Sequence, residues 1–264
     1  MPRQGLLHIS ENRRFGVQEK RMSDGKITIK SESQRALMRA AGELTGRTLN
    51  YIETLIKPGI RSHGAVPSFL NYEGFPASIC TSVNDRIVHG IPSRHDRLRD
   101  GDIISVDCGA LLNGFHGDAA RTFLVGNVAP EVAKLVQVTK ECFFKGLEQA
   151  VVGNHISDIG RAIQQHAESH GYGVVRELVG HGIGMNMHEA PEVPNYVIPH
   201  FGRGARLVPG MAIAIEPMIN LGTRRIHVLD DGWTCVTADG KPSAHYENTI
   251  FISENGPEVL TNPE

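Results

Sequence analysis

Twice in this chain a glycine leads into an apolar, strand-like run that ends on an acid. DGDIISVD ends at Asp107, and PGMAIAIE ends at Glu216. In both, the acid stands six residues after the glycine. A run such as Ile103-Ile104-Ser105-Val106 reads as a buried strand. A carboxylate buried at its end without a partner costs several kcal/mol or takes up a proton. A chain that makes this arrangement twice must supply something that offsets the desolvation. Other segments echo each other too: VHGIP (88–92) and GHGIG (180–184), and an SHG after the helical part of each half. Two similar halves facing each other would bring Asp107 and Glu216 together at a pseudo-two-fold axis, with a site between them.

The surrounding elements follow from local signals. ITIK (27–30) reads as a short strand. Ser31 and Gln34 have capping-box spacing, and Leu37, Ala41, Leu44, Thr48, Ile52 and Leu55 then recur at helical spacing. KPG at 57–59 ends that helix. A second helix starts at Pro130 and runs to about Ala150, since proline is favoured at a first helical position. SDIGRAIQQHAESHG (157–171) is a third, and strands dominate from Val174 onward. Residues 1–25 carry Arg3, Arg13, Arg14, Lys20 and Arg21 with no apolar period. They read as a flexible basic tail, with transient ribosome contact as a further use. Residues 26–264 read as one catalytic domain, since 264 residues with 40% hydrophobic content suffice for one large core.

The chemistry gathers in SVDCGALLNGFHGDAAR (105–121). Asn113-Gly114 is a strong hairpin-turn signal. It pairs Leu112 with Phe115 and Gly109 with Asp118, which makes Asp107 and Asp118 diagonal neighbours about 7–8 Å apart. Two aspartates capping turns is the simpler alternative, and the second half weighs against it. Glu216 ends a strand, Glu247 lies in the strand-like SAHYENTIFIS, and His181 lies in a glycine-rich turn. Four carboxylates and one imidazole form a hard, oxygen-rich set. That set suits two carboxylate-bridged divalent ions better than one structural zinc, and such a pair activates a shared water. His89 and His188 read as groups beside the site, with a packed core histidine as the alternative for each. His166 and His170 stand four apart on a helix, but Ala167 occupies the place where a zinc-protease motif needs glutamate. Cys108 reads as a packed thiol.

Composition narrows the rest. A net charge of −2 gives no reason for wholesale nucleic-acid binding. The sequence has neither an apolar run of about 18 residues nor a signal-peptide core. Four scattered cysteines without a C-x-x-C pair suit reduced thiols, hence a cytoplasmic protein.

Together, VHGIP, SVDCGALLNGFHGDAAR, VGHGIGMNMHEAP, AIEPMI and DDGWTCVTADGKPSAHYENT resemble the type I methionine aminopeptidases, over roughly residues 27–262. The resemblance implies an α+β pita-bread fold: two pseudo-symmetric halves with a central antiparallel sheet covered by helices. It implies that Asp107, Asp118, His181, Glu216 and Glu247 bind two divalent cations (Co, Mn, Fe or Zn), with Asp118 and Glu247 bridging. His89 and His188 match the family's substrate-contacting histidines, and Glu216 would relay a proton. Tyr72, Phe75, Cys80 and Trp233 match its methionine pocket, where an unbranched, polarizable thioether packs well. The implied reaction is metal-assisted removal of initiator methionine from nascent chains, by a cytoplasmic monomer. An Xaa-Pro aminopeptidase of the same fold is an alternative, although such chains carry a large N-terminal domain and only a short stretch precedes the core here. A non-catalytic relative is another, although such relatives lose ligands and all five stand here.

The sequence departs from the family pattern in three places. Met187 stands where an aromatic is common, and Phe69 where a smaller residue is frequent. The third is a length difference: Asn154 to Glu168 separate Gly153 from Ser169, whereas only Ile60 and Arg61 separate Gly59 from Ser62. Relatives have a helix in both places, so the first half reads as shortened near 59–62, with the first long helix leading almost directly into the strand before Phe69.

Overall fold

Ser31 opens the first helix as its sequence suggests. Its backbone N–H donates to Gln34 Oε1 at 2.9 Å, and its hydroxyl accepts from the Gln34 N–H at 3.3 Å. Helix α1 (Glu32–Thr54) and the four-residue α2 (Gly59–Ser62) precede strands β1 (Val66–Pro67), β2 (Cys80–Val83) and β3 (Arg86–Val88). The hairpin β4 (Ile103–Leu112) and β5 (Phe115–Leu124) closes this half. The second half opens with α3 (Pro130–Gln149) and α4 (Ile156–Ser169). Strands β6 (Gly173–Val174), β7 (Gly180–Gly182), β8 (Glu189–Val193), β9 (Ala212–Ile215) and β10 (Met218–Asn220) follow. After them come β11 (Ile226–Val228), β12 (Cys235–Thr237), β13 (Ser243–His245), β14 (Glu247–Ser253) and β15 (Gly256–Val259). The computed structural model describes residues 27–54, 59–200 and 202–262. The basic tail read over 1–25 and the KPG stop at 57–58 lie outside the described residues.

The main antiparallel sheet runs β1-β4-β5-β14-β9-β7-β8, with β2 also pairing β4 and β15 pairing β14. Strands β5 and β14 form the seam between the halves: Glu247 faces Ala120 and Asn248 faces Ala119. The repeat is visible in the backbone. Gly101 and Gly210, which start the two glycine-strand-acid units, both have positive φ, 97° and 91°. Their N–H groups donate to Val125 O and Ile252 O, at the far ends of the paired strands. Helices cover the outer face. In the second half α3 and α4 pack through Leu135, Val138, Phe143, Ile159 and Ile163, all fully buried. In the first half α1 lies across β4 and β5, with Met38 packed against Phe115, Phe251 and Leu260. Arg35 and Arg39 pair with Glu258 of β15.

ITIK is not a strand. Ile27 makes one isolated bridge to Ala190, and the rest runs extended without a ladder. Side-chain chemistry holds it instead. Lys30 is 5% exposed and its Nζ meets Glu189 Oε2 at 2.7 Å. The Lys30 N–H donates to Gly210 O.

The α1–β5 contact depends on having no side chain at Gly117. A Cβ there would come within 2.7 Å of Gly42 N and 2.8 Å of Gly42 Cα. Gly117→Val should therefore lift α1 from the sheet and destabilise the chain by about 1–3 kcal/mol, as over-packing does. Urea unfolding checks this, and an unchanged midpoint would show that the helix can shift without cost.

Candidate metal centre

The hairpin places the first two acids. Asn113 and Gly114 form the turn, with φ of 53° and 81°. The register pairs Leu112 with Phe115, Gly109 with Asp118 and Asp107 with Ala120. Asp107 and Asp118 thus stand diagonally on one face of two neighbouring strands, as the turn signal predicts. The adjoining β14 adds Glu247, opposite Ala120, on the same side of the seam. Glu216 follows directly on β9, and His181 lies in β7, whose Gly182 pairs with Ile213 of β9. Five donors from β4, β5, β7, β9 and β14 therefore converge because their strands are adjacent.

All eleven candidate residues line one cavity: the five donors, His89, His188, Tyr72, Phe75, Cys80 and Trp233. Phe69 and Met187, two of the departures from the family pattern, complete the lining. The apolar end is a cluster of Phe69, Phe75, Cys80 and Met187, closed by Tyr72 and Trp233. Phe75 meets Trp233 edge-on at 5.2 Å. The His188 ring lies between the two ends, 4.2 Å from His181 and 5.2 Å from Tyr72. Its Nδ1 shares a 2.7 Å hydrogen bond with the Tyr72 hydroxyl. Burial, then the Glu73 carboxylate, pushes that hydroxyl up to about 12, so it is protonated at neutral pH. His89 follows β3 in a left-handed turn, φ 58°.

The electrostatics call for a cation. Asp118 and Glu247 are 4% and 2% exposed. Burial, and then the charges of their acidic neighbours, raises both pKa values well above the ordinary carboxylate range. Asp118 Oδ1 and Glu247 Oε1 are buried and accept no hydrogen bond. The His181 Nδ1–H donates to Gly182 O at 2.8 Å, which leaves Nε2 facing Glu216 Oε1 at 3.6 Å and Asp118 Oδ2 at 3.9 Å. One atom each from Asp118, His181 and Glu247 lies within 4.8 Å of the others, and the same holds for Asp107, His245 and Glu247. Gaps of this size can close around ions whose own bonds are about 2 Å. These residues fit divalent metal, and Glu247 belongs to both groups.

The second group contains a residue that the sequence reading missed. His245 is 2% exposed, neither ring nitrogen has a hydrogen-bond partner, and Nε2 is 3.9 Å from both Glu216 Oε2 and Glu247 Oε2. Burial, then His89 and Arg121, lowers its pKa to about 3, so the ring is neutral. Strand alternation offered the signal: His245 stands two residues before Glu247 and so shares its face. Also missed were the groups that hold the acids in place. Thr249 Oγ1 accepts from the Asp118 N–H and donates to Asp118 O. Arg121 donates to Glu247 O and to Asn248 Oδ1, and Asn195 Nδ2 donates to Glu216 O. Cys108 is a packed thiol, fully buried, with its pKa raised by burial.

The fold and donor set define a metal-dependent hydrolase built from two facing halves. The sequence pattern of metallopeptidase family M24 matches residues 36–254, and the chain belongs to that family. It is 55% identical over 248 residues to a methionine aminopeptidase of Clostridium acetobutylicum, covering 89% of this chain and 98% of the relative. A crystal structure of methionine aminopeptidase from Rickettsia prowazekii superposes with a TM-score of 0.85 at 42% identity, covering 89% of this chain and all of the other. An Xaa-Pro dipeptidase from Bacillus anthracis has a TM-score of 0.71 at 22% identity, and this chain covers only 62% of it. That likeness is one of fold.

Because Asp118 and Glu247 have raised pKa values in the fold, their ionisation opposes folding in the absence of a cation. That loss is absent in acid, grows as pH rises above the ordinary carboxylate range, and is complete above the folded pKa values. A divalent cation binds the ionised forms and reverses the effect. The increase in Tm when Mn2+ is added to chelator-stripped protein should therefore be larger at about pH 7.5 than at about pH 5.5. Equal increments at both pH values would count against metal binding at these two acids.

Proposed function

We propose that this chain removes the initiator methionine from newly made proteins by metal-assisted peptide hydrolysis. One observation carries the reading: five candidate metal donors, an apolar, thiol-lined pocket and two histidines share one cavity. The high identity to methionine aminopeptidases supports it over an Xaa-Pro activity, for which the likeness stops at the fold. In this reading Asp107, Asp118, His181, Glu216 and Glu247 hold two divalent cations, drawn from Mn, Fe, Co and Zn. Such ions, when bound, polarise the scissile carbonyl and acidify water.

The side chains then have distinct tasks. Tyr72, Phe75, Cys80 and Trp233 receive the methionine side chain, with Phe69 and Met187 narrowing the space. A thioether suits these walls, since its sulfur packs against ring edges, whereas a charged side chain there would lose its solvation unpaired. In this reading the Tyr72 hydroxyl donates in the hydrogen bond it shares with His188 Nδ1, which places the ring proton on Nε2, where it can donate to the scissile amide. His89 approaches the same amide from the first half. Glu216, partly open to the cavity, carries a proton toward the leaving amine. The substrate is the N-terminus of a nascent chain, the enzyme acts in the cytoplasm as a monomer, and the basic residues 1–25 make a transient ribosome contact. The four cysteines, all buried thiols, suit that compartment. We also read the first half as shortened. Helix α2 has four residues against fourteen in α4, and the Clostridium alignment is longer than the part of this chain it covers.

Methionine release from Met-Ala-Ser and Met-Lys-Ser peptides, with and without chelator, tests the activity. Cleavage should occur on at least the small-residue peptide and vanish with chelator. Asp107→Asn and Glu216→Gln should abolish it and lower bound metal. Wild-type kcat with full metal occupancy in Glu216→Gln would remove the proton relay from the scheme.

His89→Ala and His188→Ala should keep the fold and the metal while lowering kcat/KM about 10²-fold or more, the scale of one lost transition-state donor. If metal content fell instead, with turnover per bound ion unchanged, both would be ligands rather than substrate contacts.

A further inference from the structure

Outside the cavity, the histidine pair that fails the zinc-protease pattern acquires a third donor from a different helix. His166 and His170 stand one turn apart on α4, with ring centroids 4.8 Å apart. Glu141 of α3 reaches across, and its Oε2 lies 2.8 Å from His166 Nε2. One donor atom from each of the three lies within 4.8 Å of the others. None of the three lines the cavity described above.

A second hydrogen bond orients two of the three. Gln137 Nε2 donates to Glu141 Oε1 at 2.8 Å, which leaves Oε2 for the shared position. His170 Nδ1–H donates to the backbone carbonyl of His166 at 2.9 Å, so its Nε2 retains a lone pair. Its ring also stacks on Tyr172, 19° from parallel. Metal-binding imidazoles and carboxylates are held by outer hydrogen bonds of this kind. The setting also suits exchange with solvent: His170 is exposed, and Glu141 and His166 are half-buried. The opposite faces of α3 and α4 are buried in the core, so the backbone under the three donors is rigid.

We propose that Glu141, His166 and His170 form a second, peripheral metal site that takes one zinc-class divalent cation. Two imidazoles and a carboxylate favour Zn2+, Cu2+ or Ni2+ over Mg2+ or Ca2+. Three protein donors leave one position for water. The site stands apart from the cavity that holds the acids, and its effect is structural: an ion there ties α3 to α4. An ion that binds only the folded chain stabilises it by mass action.

Equilibrium dialysis of the full chain against Zn2+ at about pH 7.5 tests this. At free Zn2+ that already fills the central centre, wild type should hold one more Zn2+ per chain than His170→Ala, His166→Ala or Glu141→Gln. Each variant should bind that extra ion about tenfold or more weakly, the scale of losing a single metal-orienting group. Over the same Zn2+ range the Tm of wild type should climb further, and that of His170→Ala should not. Because His170 is exposed, its alanine variant should fold normally, and Met-Ala-Ser cleavage should be unchanged in all three. With Cu2+, the corresponding EPR signal should show coupling to two imidazole nitrogens in wild type and one in His170→Ala. Equal zinc content in wild type and His170→Ala would overturn the proposal. So would loss of the extra ion in His166→Ala alone, which would leave a simple Glu141–His166 ion pair. Failure of peptide cleavage with the extra zinc still lost in His170→Ala would count against the proposed activity and leave the peripheral site standing.

Discussion

The structure is organised around the burial of like charge at the seam between two half-sheets. Asp118 and Glu247 sit on adjacent central strands, almost wholly removed from water, with Asp107 and Glu216 close by. Desolvation penalises each charge, and mutual repulsion penalises the set further. A cation bound among them changes the sign of both effects, which is why such a cluster is tolerable in the fold of a metallopeptidase. Almost every other feature near the seam limits where these carboxylates can go. The Thr249 hydroxyl is bonded twice to the backbone of Asp118, and Arg121 pins the Glu247 carbonyl at the start of β14. Glycines at 117, 180 and 182 let neighbouring backbone approach to distances that a Cβ would forbid, and Gly109 does the same for the Ser68 side chain.

The apolar end of the cavity is coupled to the charged end through one side chain. The His188 ring lies 4.2 Å from that of His181, tilted by 60°, and hydrogen-bonds Tyr72, a member of the pocket wall. Filling the pocket therefore bears on the same ring that borders His181. Cys80 makes a similar link through the backbone, since β2 pairs it directly opposite Asp107. The pocket wall and the acidic cluster thus stand on neighbouring strands.

Much of this arrangement was legible in local sequence because strands and tight turns obey short-range rules. The Asn-Gly turn set the hairpin register, and the register set the diagonal of Asp107 and Asp118. Period-two alternation could equally have exposed His245, two residues from Glu247. The capping box at Ser31 and the proline start of α3 are local and were legible for the same reason. The ITIK segment was misread because its apolar alternation looks like a strand, while a buried Lys30–Glu189 pair 159 residues apart in sequence decides its course. His166 and His170 were weighed against Ala167, the residue that follows the first of them, whereas the carboxylate that meets them is Glu141 from the preceding helix.

Sequence alone determined which residue types end each strand, the two-fold repetition of the glycine-strand-acid unit, and the face on which each acid lies. Those properties depend on bond geometry and on side chains a few positions apart. Tertiary structure alone decided that β5 and β14 are neighbours, that Arg121 and Thr249 brace the acids, and that Glu141 crosses to α4. Each of these contacts joins residues far apart along the chain. Such pairings form only when the summed burial of helices and sheet offsets the entropy of closing long loops, and no local pattern encodes that sum.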